Sequence, residues 1–342
     1  MSKDFPAIQQ RSLALRIPRK PPMRKLFKRA LLWGGGALVL ALVAATAVQW
    51  WLSYLALERN PPPGEMVVVD GRQMHLLCQG QGSPAVILES GMPGTSLGWA
   101  SVVDDIASFA RVCAYDRAGW GWSEAGPQPR TISNITRELR DLLHTAQVGS
   151  PYVLVGHSFG GLVVQVYASR FPDEVAGMVL VDSAHPDLAR RSGRLDRMGR
   201  VASRLKILAP LGIARFMIDV PSGNPESRPG SVRAMEKELL ATTRSFRAMA
   251  SEMEGLQESL DQAAKDRPRL GRKPLVVLTE GERKMEFWHA MQEQFTELSD
   301  SSEWRVVDGA GHFIHQDKPD IVVDAVRRVV ESARDQAGNV VE

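Results

Sequence analysis

From Ala30 to Leu57 the chain carries no charged residue. A helix of that length exceeds the ~20 residues needed to cross hydrocarbon, so the pattern predicts a membrane span over roughly Leu31 to Ser53. Trp33 near one end and Trp50, Trp51 and Tyr54 near the other sit where indole and phenol rings favour the headgroup boundary. The apolar run passes Ala45-Thr46-Ala47, a sequence that looks like a signal-peptide cleavage site, and continues through Trp50-Trp51-Leu52. An uncleaved anchor is therefore expected. Pro61-Pro62-Pro63-Gly64 cannot continue the helix and reads as a stiff linker over 58–64.

Beyond the linker the pattern changes to short apolar runs separated by turns. Met66–Val69 and Gln73–Cys78 flank Asp70-Gly71, which predicts a hairpin. His75 alternates with apolar neighbours in the second strand and reads as structural. Ala85–Leu88, Arg111–Tyr115, Val153–Val155, Met178–Val181, Pro274–Thr279 and Trp304–Val307 predict further strands. Val153–Val155 and Met178–Val181 are continuously apolar, as parallel strands covered on both faces are. Helical spacing appears over Trp99–Phe109, Thr131–Gln147, Met285–Leu298 and Ile321–Ala333, and residues from Asp335 onward read as a frayed end.

Between Ala184 and Lys273 the strand signal stops and helical patterns take over, which predicts a lid roofing the carboxyl ends of the strands. Its first part is basic, with Arg190, Arg191, Arg194, Arg197, Arg200, Arg204 and Lys206, beside an apolar turn over 207–213; it reads as a solvated face, the alternative being a basic helix that lies against anionic lipid. The expected organisation is a disordered basic arm (1–29), an anchor (30–57), the linker (58–64), a core in two parts (65–183 and 274–342) and the lid (184–273).

Net charge is +3, and the basic residues concentrate in the amino-terminal arm and the lid instead of forming a groove, so nucleic acid is not an expected partner. Basic residues ahead of the span predict a cytoplasmic amino terminus, with everything after Leu57 on the far side of the membrane. A lipid bilayer is an expected partner, through the helix. Two cysteines, Cys78 and Cys113, are too few for a disulfide scaffold and lack zinc-ligand spacing.

The chemistry centres on Gly156-His157-Ser158-Phe159-Gly160-Gly161, which follows an apolar strand and precedes the helical Leu162–Ala168. On so sharp a turn, glycine at 156 and 160 avoids a Cβ clash and Ser158 is lifted out of the sheet top. The N–H of Phe159, at the helix start, points where an oxyanion would form. The segment lacks the Lys-Ser/Thr ending of a phosphate loop, and no metal constellation or dinucleotide loop is apparent. No cofactor is expected.

With Val86–Gly91, Ala114–Ser123 and Asp308-Gly309-Ala310-Gly311-His312-Phe313, in that order around Ser158, the chain resembles the α/β-hydrolase family from Glu65 to Val330. The resemblance implies an α/β fold with a mostly parallel sheet flanked by helices. It also implies Ser158 as nucleophile, His312 as its base, and a second oxyanion donor after Ser90-Gly91, where the backbone N–H of Met92 is the candidate. By the family's sheet order, the strand holding Cys78 lies beside the strand holding Cys113, and a disulfide between them is expected. Asp116-Arg117-Ala118-Gly119 looks like the family's structural turn under the active-site floor, so Asp116 is not the catalytic acid.

The family most often places that acid after the strand ending near Thr279, where this chain has Glu280 and Glu282. A minority arrangement uses the preceding strand, which here ends in Asp182. Asp182 is preferred, then Glu282, then Glu280. Among the other histidines, His157 should point away from the nucleophile, and His185 follows a strand end where it could line the pocket. The implied activity is hydrolysis of an ester, less readily an amide, through an acyl-enzyme. A serine at 158 disfavours epoxide hydrolysis and dehalogenation, for which the family uses aspartate. The alternatives are a tethered binding or signalling protein without turnover, and a cofactor-free haloperoxidase or carbon–carbon bond hydrolase.

Overall fold

The computed structural model describes residues 23–187, 195–217, 223–282 and 286–338. Arg16, Arg19 and Lys20 of the expected arm, Arg190, Arg191 and Arg194 of the lid's basic run, and residues 339–342 lie outside them. Two compact units are present, Met1–Ala44 and Ala45–Glu342.

Helix α1 runs from Met23 to Arg59, longer than the predicted span at both ends. Residues 23–29, assigned above to a disordered arm, are helical, because Met, Lys, Arg and Leu, none of them branched at Cβ, carry little helix penalty. The helix stops where Pro61 disfavours helical backbone at the residue before it. One stretch among the described residues, Leu26–Arg59, is long and apolar enough to cross a membrane.

The second unit is built on one sheet of eight strands: β1 (Glu65–Val69), β2 (Arg72–Gln79), β3 (Ala85–Glu89), β4 (Val112–Tyr115), β5 (Tyr152–His157), β6 (Val175–Val181), β7 (Leu275–Glu280) and β8 (Ser302–Val307). Their order is β1-β2-β4-β3-β5-β6-β7-β8. The β1–β2 and β2–β4 pairs are antiparallel and the remainder parallel. The parallel strands are buried from end to end as far as β7, which is why they read as unbroken apolar runs.

The Trp99–Phe109 pattern becomes a 3-10 turn, Ser96–Trp99, and a short helix α2, Val103–Ala107. Next come α3 (Ile132–Thr145) and α4 (Phe159–Arg170). Leu139, Leu142 and Leu143 of α3 pack with Val164 and Tyr167 of α4 on one face of the sheet. Ile106 of α2 packs on the other face with Val322, Val326 and Val329 of the closing helix.

The lid contains α5 (Leu195–Leu208), α6 (Ala214–Met217), α7 (Gly230–Leu240), α8 (Thr243–Glu254) and α9 (Leu256–Lys265). Arg197, Arg200 and Arg204 on α5 are exposed, as a solvated face requires. The predicted helix over Met285–Leu298 is α10, Glu286–Glu293, continued by a 3-10 segment. After β8 come α11 (Ile314–Asp317) and α12, which persists to Gly338 and so extends into the end read as frayed. Met1–Ala44 and Ala45–Glu342 also differ from the expected division, because the last turns of α1 belong to the globular unit.

The β2–β4 register sets Cys78 opposite Cys113, and the two are joined by a disulfide. The bridge closes a sequence separation of 35 residues, a constraint on the unfolded chain worth about 3–4 kcal/mol. Replacing both cysteines by serine should lower the unfolding free energy by about that amount. Urea titration in detergent, with and without reductant, checks this: reductant should shift the wild type and leave the double variant unmoved.

Candidate active site

At the carboxyl end of β5 the chain turns straight into α4, and the turn tolerates nothing larger than hydrogen at two positions. A Cβ on Gly156 would lie 2.6 Å from the Cα of Gly161, and one on Gly160 would lie 2.4 Å from the carbonyl oxygen of Glu89. Ser158 between them has φ +51° and ψ −122°, a conformation that a non-glycine residue holds only when its surroundings over-determine it. Those surroundings are visible. Its N–H donates to Val181 at 3.2 Å, and its carbonyl accepts from Gly161 at 3.0 Å and Ala184 at 2.9 Å.

His312 lies in the loop between β8 and α11. Its Nε2 is 2.9 Å from Ser158 Oγ, and its Nδ1 is 2.6 Å from Asp182 Oδ2. A carboxylate can only accept, so the proton sits on Nδ1 and Nε2 is left to accept from the serine hydroxyl. Asp182 follows β6 with φ +41° and is fully buried. Aspartate is among the few residues that tolerate this backbone. Its other oxygen accepts from the Glu280 N–H at 3.1 Å and from Trp288 Nε1 at 2.9 Å. It thus fills both the loop-amide role and the place beside the imidazole.

The two competing acids differ in placement. Glu280 ends β7, buried, with a carboxylate oxygen within 4.8 Å of donor atoms on both Asp182 and His312. Glu282 is exposed. Asp182, Glu280 and His312 could in principle offer ligands to a cation, but both imidazole nitrogens are already engaged.

Phe159 opens α4, and Met92 packs against it in the same apolar cluster. Gly91 lies against Ser158: a Cβ there would be 3.2 Å from the Ser158 Cβ. The carbonyls of Ser90 and Gly91 are drawn away by Arg117, which donates to them at 2.6 and 2.8 Å. Because C=O and N–H point opposite ways across a trans peptide, the grip on the Gly91 carbonyl aims the Met92 N–H away from Arg117.

Arg117 is itself buried between Glu89, at 2.7 Å, and the lid's Glu252, at 3.0 Å. Burial opposes its charge, but the two carboxylates outweigh it and raise its pKa. Glu89 moves up from the usual carboxylate range, because burial exceeds the help it receives from Arg117 and Tyr115.

Asp116, set aside as a catalytic acid, accepts from the N–H groups of Ser96 at 2.7 Å and Trp122 at 3.1 Å and pairs with His75 at 3.0 Å. Burial opposes both charges. Even so, His75 is held above its ordinary value by Asp116, and Asp116 below its own by His75 and the two amides.

The remaining histidines divide. His185 is buried, with its ring 5.0 Å from that of Phe295. His157 points away from Ser158 as expected, yet its Nε2–H donates to the His312 carbonyl at 2.9 Å, so it braces the loop that carries the base. No local signal marked this contact, since the two residues are 155 positions apart. His315 stacks on Trp99 with ring centroids 4.5 Å apart.

The model of the alpha/beta hydrolase family matches residues 86–325. The chain belongs to this family. The hydrolase is 27% identical over 275 residues to YqjL, an uncharacterized protein of Bacillus subtilis (strain 168), covering 79% of this chain and 92% of that one. It superposes on the epoxide hydrolase CorEH with a TM-score of 0.64 at 21% identity, covering 78% and 97% of the two chains. A thermophilic esterase from Thermogutta terrifontis superposes with a TM-score of 0.62 at 22% identity, covering 79% and 98%. At these identities the two solved structures establish the shared fold.

Burial, then the neighbouring imidazoles of His315 and His312, drives His157 well below an ordinary imidazole pKa, and burial with Arg228 and His312 takes His315 down to about 3. Both are neutral when folded and gain protons on unfolding below pH 6.5, so their stability contribution is present above that pH and is lost as pH falls. His315→Phe should therefore lose less stability than wild type between pH 6 and 5, by about 1.4 kcal/mol per pH unit. Urea melts at pH 7, 6 and 5 test this, and equal slopes would refute it.

Proposed function

We propose that the chain is a serine hydrolase that cleaves an ester, with an amide as a poorer substrate, at Ser158. The observation carrying this reading is the unbroken hydrogen-bond line from Ser158 Oγ through His312 to Asp182, at 2.9 and 2.6 Å. In this reading His312 Nε2 takes the hydroxyl proton as Oγ attacks the carbonyl carbon. The oxyanion is met by the N–H groups of Phe159 and Met92, and His312 returns the proton to the leaving alkoxide. Water repeats the cycle on the acyl-enzyme and frees the acid. Asp182 holds the Nδ1 tautomer and offsets the transient imidazolium.

The esterase and epoxide hydrolase that share the fold do not choose between those reactions. Ser158 favours the ester: alkylating a serine hydroxyl with an epoxide gives an ether, which water does not cleave under these conditions, whereas an acyl-serine is hydrolysed.

In the same reading α1 is an uncleaved single-pass anchor, with its basic start cytoplasmic and the hydrolase unit on the far side. The supports are its apolar length, Arg24, Lys28 and Arg29 before the apolar run, and a Cys78–Cys113 bridge of the kind that persists in oxidising compartments.

A fluorophosphonate probe should label the full chain, lose the label in Ser158→Ala and keep it in the lid variant Ser203→Ala. Folded wild type that takes no label would sink the enzyme reading in favour of a binding protein. On a p-nitrophenyl ester, Asp182→Asn should lower kcat by about 10⁴ with KM little changed, while Glu282→Gln should keep wild-type kcat. Protease added outside intact cells, once past any outer barrier, should digest the hydrolase unit and spare an amino-terminal tag; the reverse pattern would invert the topology.

A further inference from the structure

The last turns of α1 are built into the lid. Gln49 is 1% exposed, whereas the earlier turns of the helix, over 31–44, are exposed. Its Nε2 donates to the Ala241 carbonyl at 3.0 Å and to Thr243 Oγ1 at 3.3 Å, and its Oε1 accepts from Arg215 Nε at 2.8 Å. One turn before the linker Ala56 is buried, and beyond it Asn60 donates to Glu238 of α7 at 2.9 Å. A carboxamide that would be costly in hydrocarbon is instead fully used by the lid.

Beside this seam lies an open cavity of about 340 Å³. Its apolar wall includes Trp50, Tyr54, Leu57 and Pro210, and Arg244 and Arg247 stand in the same lining. Arg244 Nη2 donates to the Gly121 carbonyl at 2.7 Å, while its Nε is buried without a hydrogen-bond partner. Burial holds Arg244 below an ordinary guanidinium pKa, with Asp116 and Glu124 only partly offsetting it. Arg247 is exposed. On either side of Pro210 the lid presents Ile207, 77% exposed, and Phe216, 92% exposed. Side chains of that size are ordinarily withheld from water when they recur in one place.

The cavity therefore joins an apolar wall to two cations, one of them lacking a full set of acceptors, at the end of the apolar helix where Trp50 and Tyr54 suit a headgroup boundary. We infer that this seam binds an anionic phospholipid of the adjacent leaflet, with its phosphate against Arg244 and Arg247 and an acyl chain along Trp50, Tyr54 and Leu57. Ile207 and Phe216 enter the same leaflet, so the lid rests on the membrane through its apolar turn and not through the exposed arginines of α5. The inference rests on α1 being a membrane anchor.

The test uses the full chain reconstituted in phosphatidylcholine vesicles holding a trace of diazirine-acyl phosphatidylglycerol or, separately, diazirine-acyl phosphatidylcholine. Carbonate washing comes first, and crosslinked peptides are mapped by mass. The expected result is retention in the pellet and labelling of peptides spanning 46–57 and 207–216. The phosphatidylglycerol probe should exceed the phosphatidylcholine probe on the order of 10- to 30-fold, as two guanidiniums at a lipid phosphate supply. Arg244→Gln with Arg247→Gln should bring the first probe down to the level of the second, with fluorophosphonate labelling at Ser158 reporting that the variant is folded. Retention with equal labelling by both probes, or an excess that survives in the folded double variant, overturns the lipid site and leaves the anchor standing. Release by carbonate overturns both.

Discussion

Steric exclusion at the β5–α4 turn is the constraint on which the rest depends. Hydrogen is the largest group that fits at Gly156 and Gly160, and that closeness lets strand and helix meet with Ser158 as the hinge. The strained backbone of Ser158 is held by hydrogen bonds from three different segments, so its hydroxyl has a position before any substrate arrives. Preorganisation of this kind lowers a barrier because the ordering cost is met during folding.

Around that hinge the sheet supplies direction and the loops supply chemistry. Adjacent parallel strands β5, β6 and β7 all end on one side, which brings Ser158, Asp182 and Glu280 together. The loop after β8 then needs to reach only one strand-end cluster. Arg117 does the corresponding work on the other flank. One buried guanidinium holds the carbonyls of the β3 loop and pairs with the core's Glu89 and the lid's Glu252. Removing one partner of such a buried group typically costs about 3–5 kcal/mol, because the remaining charge stays out of water. Lid, floor and the β3 loop thus share one electrostatic joint.

The end of α1 is the third joint. Ala45–Glu342 forms one compact unit, so these turns are packed as part of the hydrolase instead of trailing from it by a tether. The Pro-rich segment that reads as a stiff spacer follows a helix end already fastened to the lid through Gln49 and Asn60.

What the amino-acid order determined by itself is whatever depends on neighbours within a turn or a strand. The uncharged run of α1, the apolar runs of the sheet and the Gly-x-Ser-x-Gly turn all express backbone geometry over a few residues, and all are legible. The Cys78–Cys113 bridge was legible only through the resemblance to a known sheet order. The ends of α1 were misjudged because lysine and arginine look like solvent markers but are also good helix formers. Tertiary structure alone decided which carboxylate meets the imidazole. Asp182, preferred from the sequence, and Glu280 both stand at the ends of buried strands; the contact at 2.6 Å is made by Asp182, once the loop carrying His312 arrives from 130 residues away. The brace from His157, the node at Arg117 and the seating of Gln49 in the lid belong to the same class. Each is a contact between groups far apart along the chain, and no local periodicity encodes such a distance.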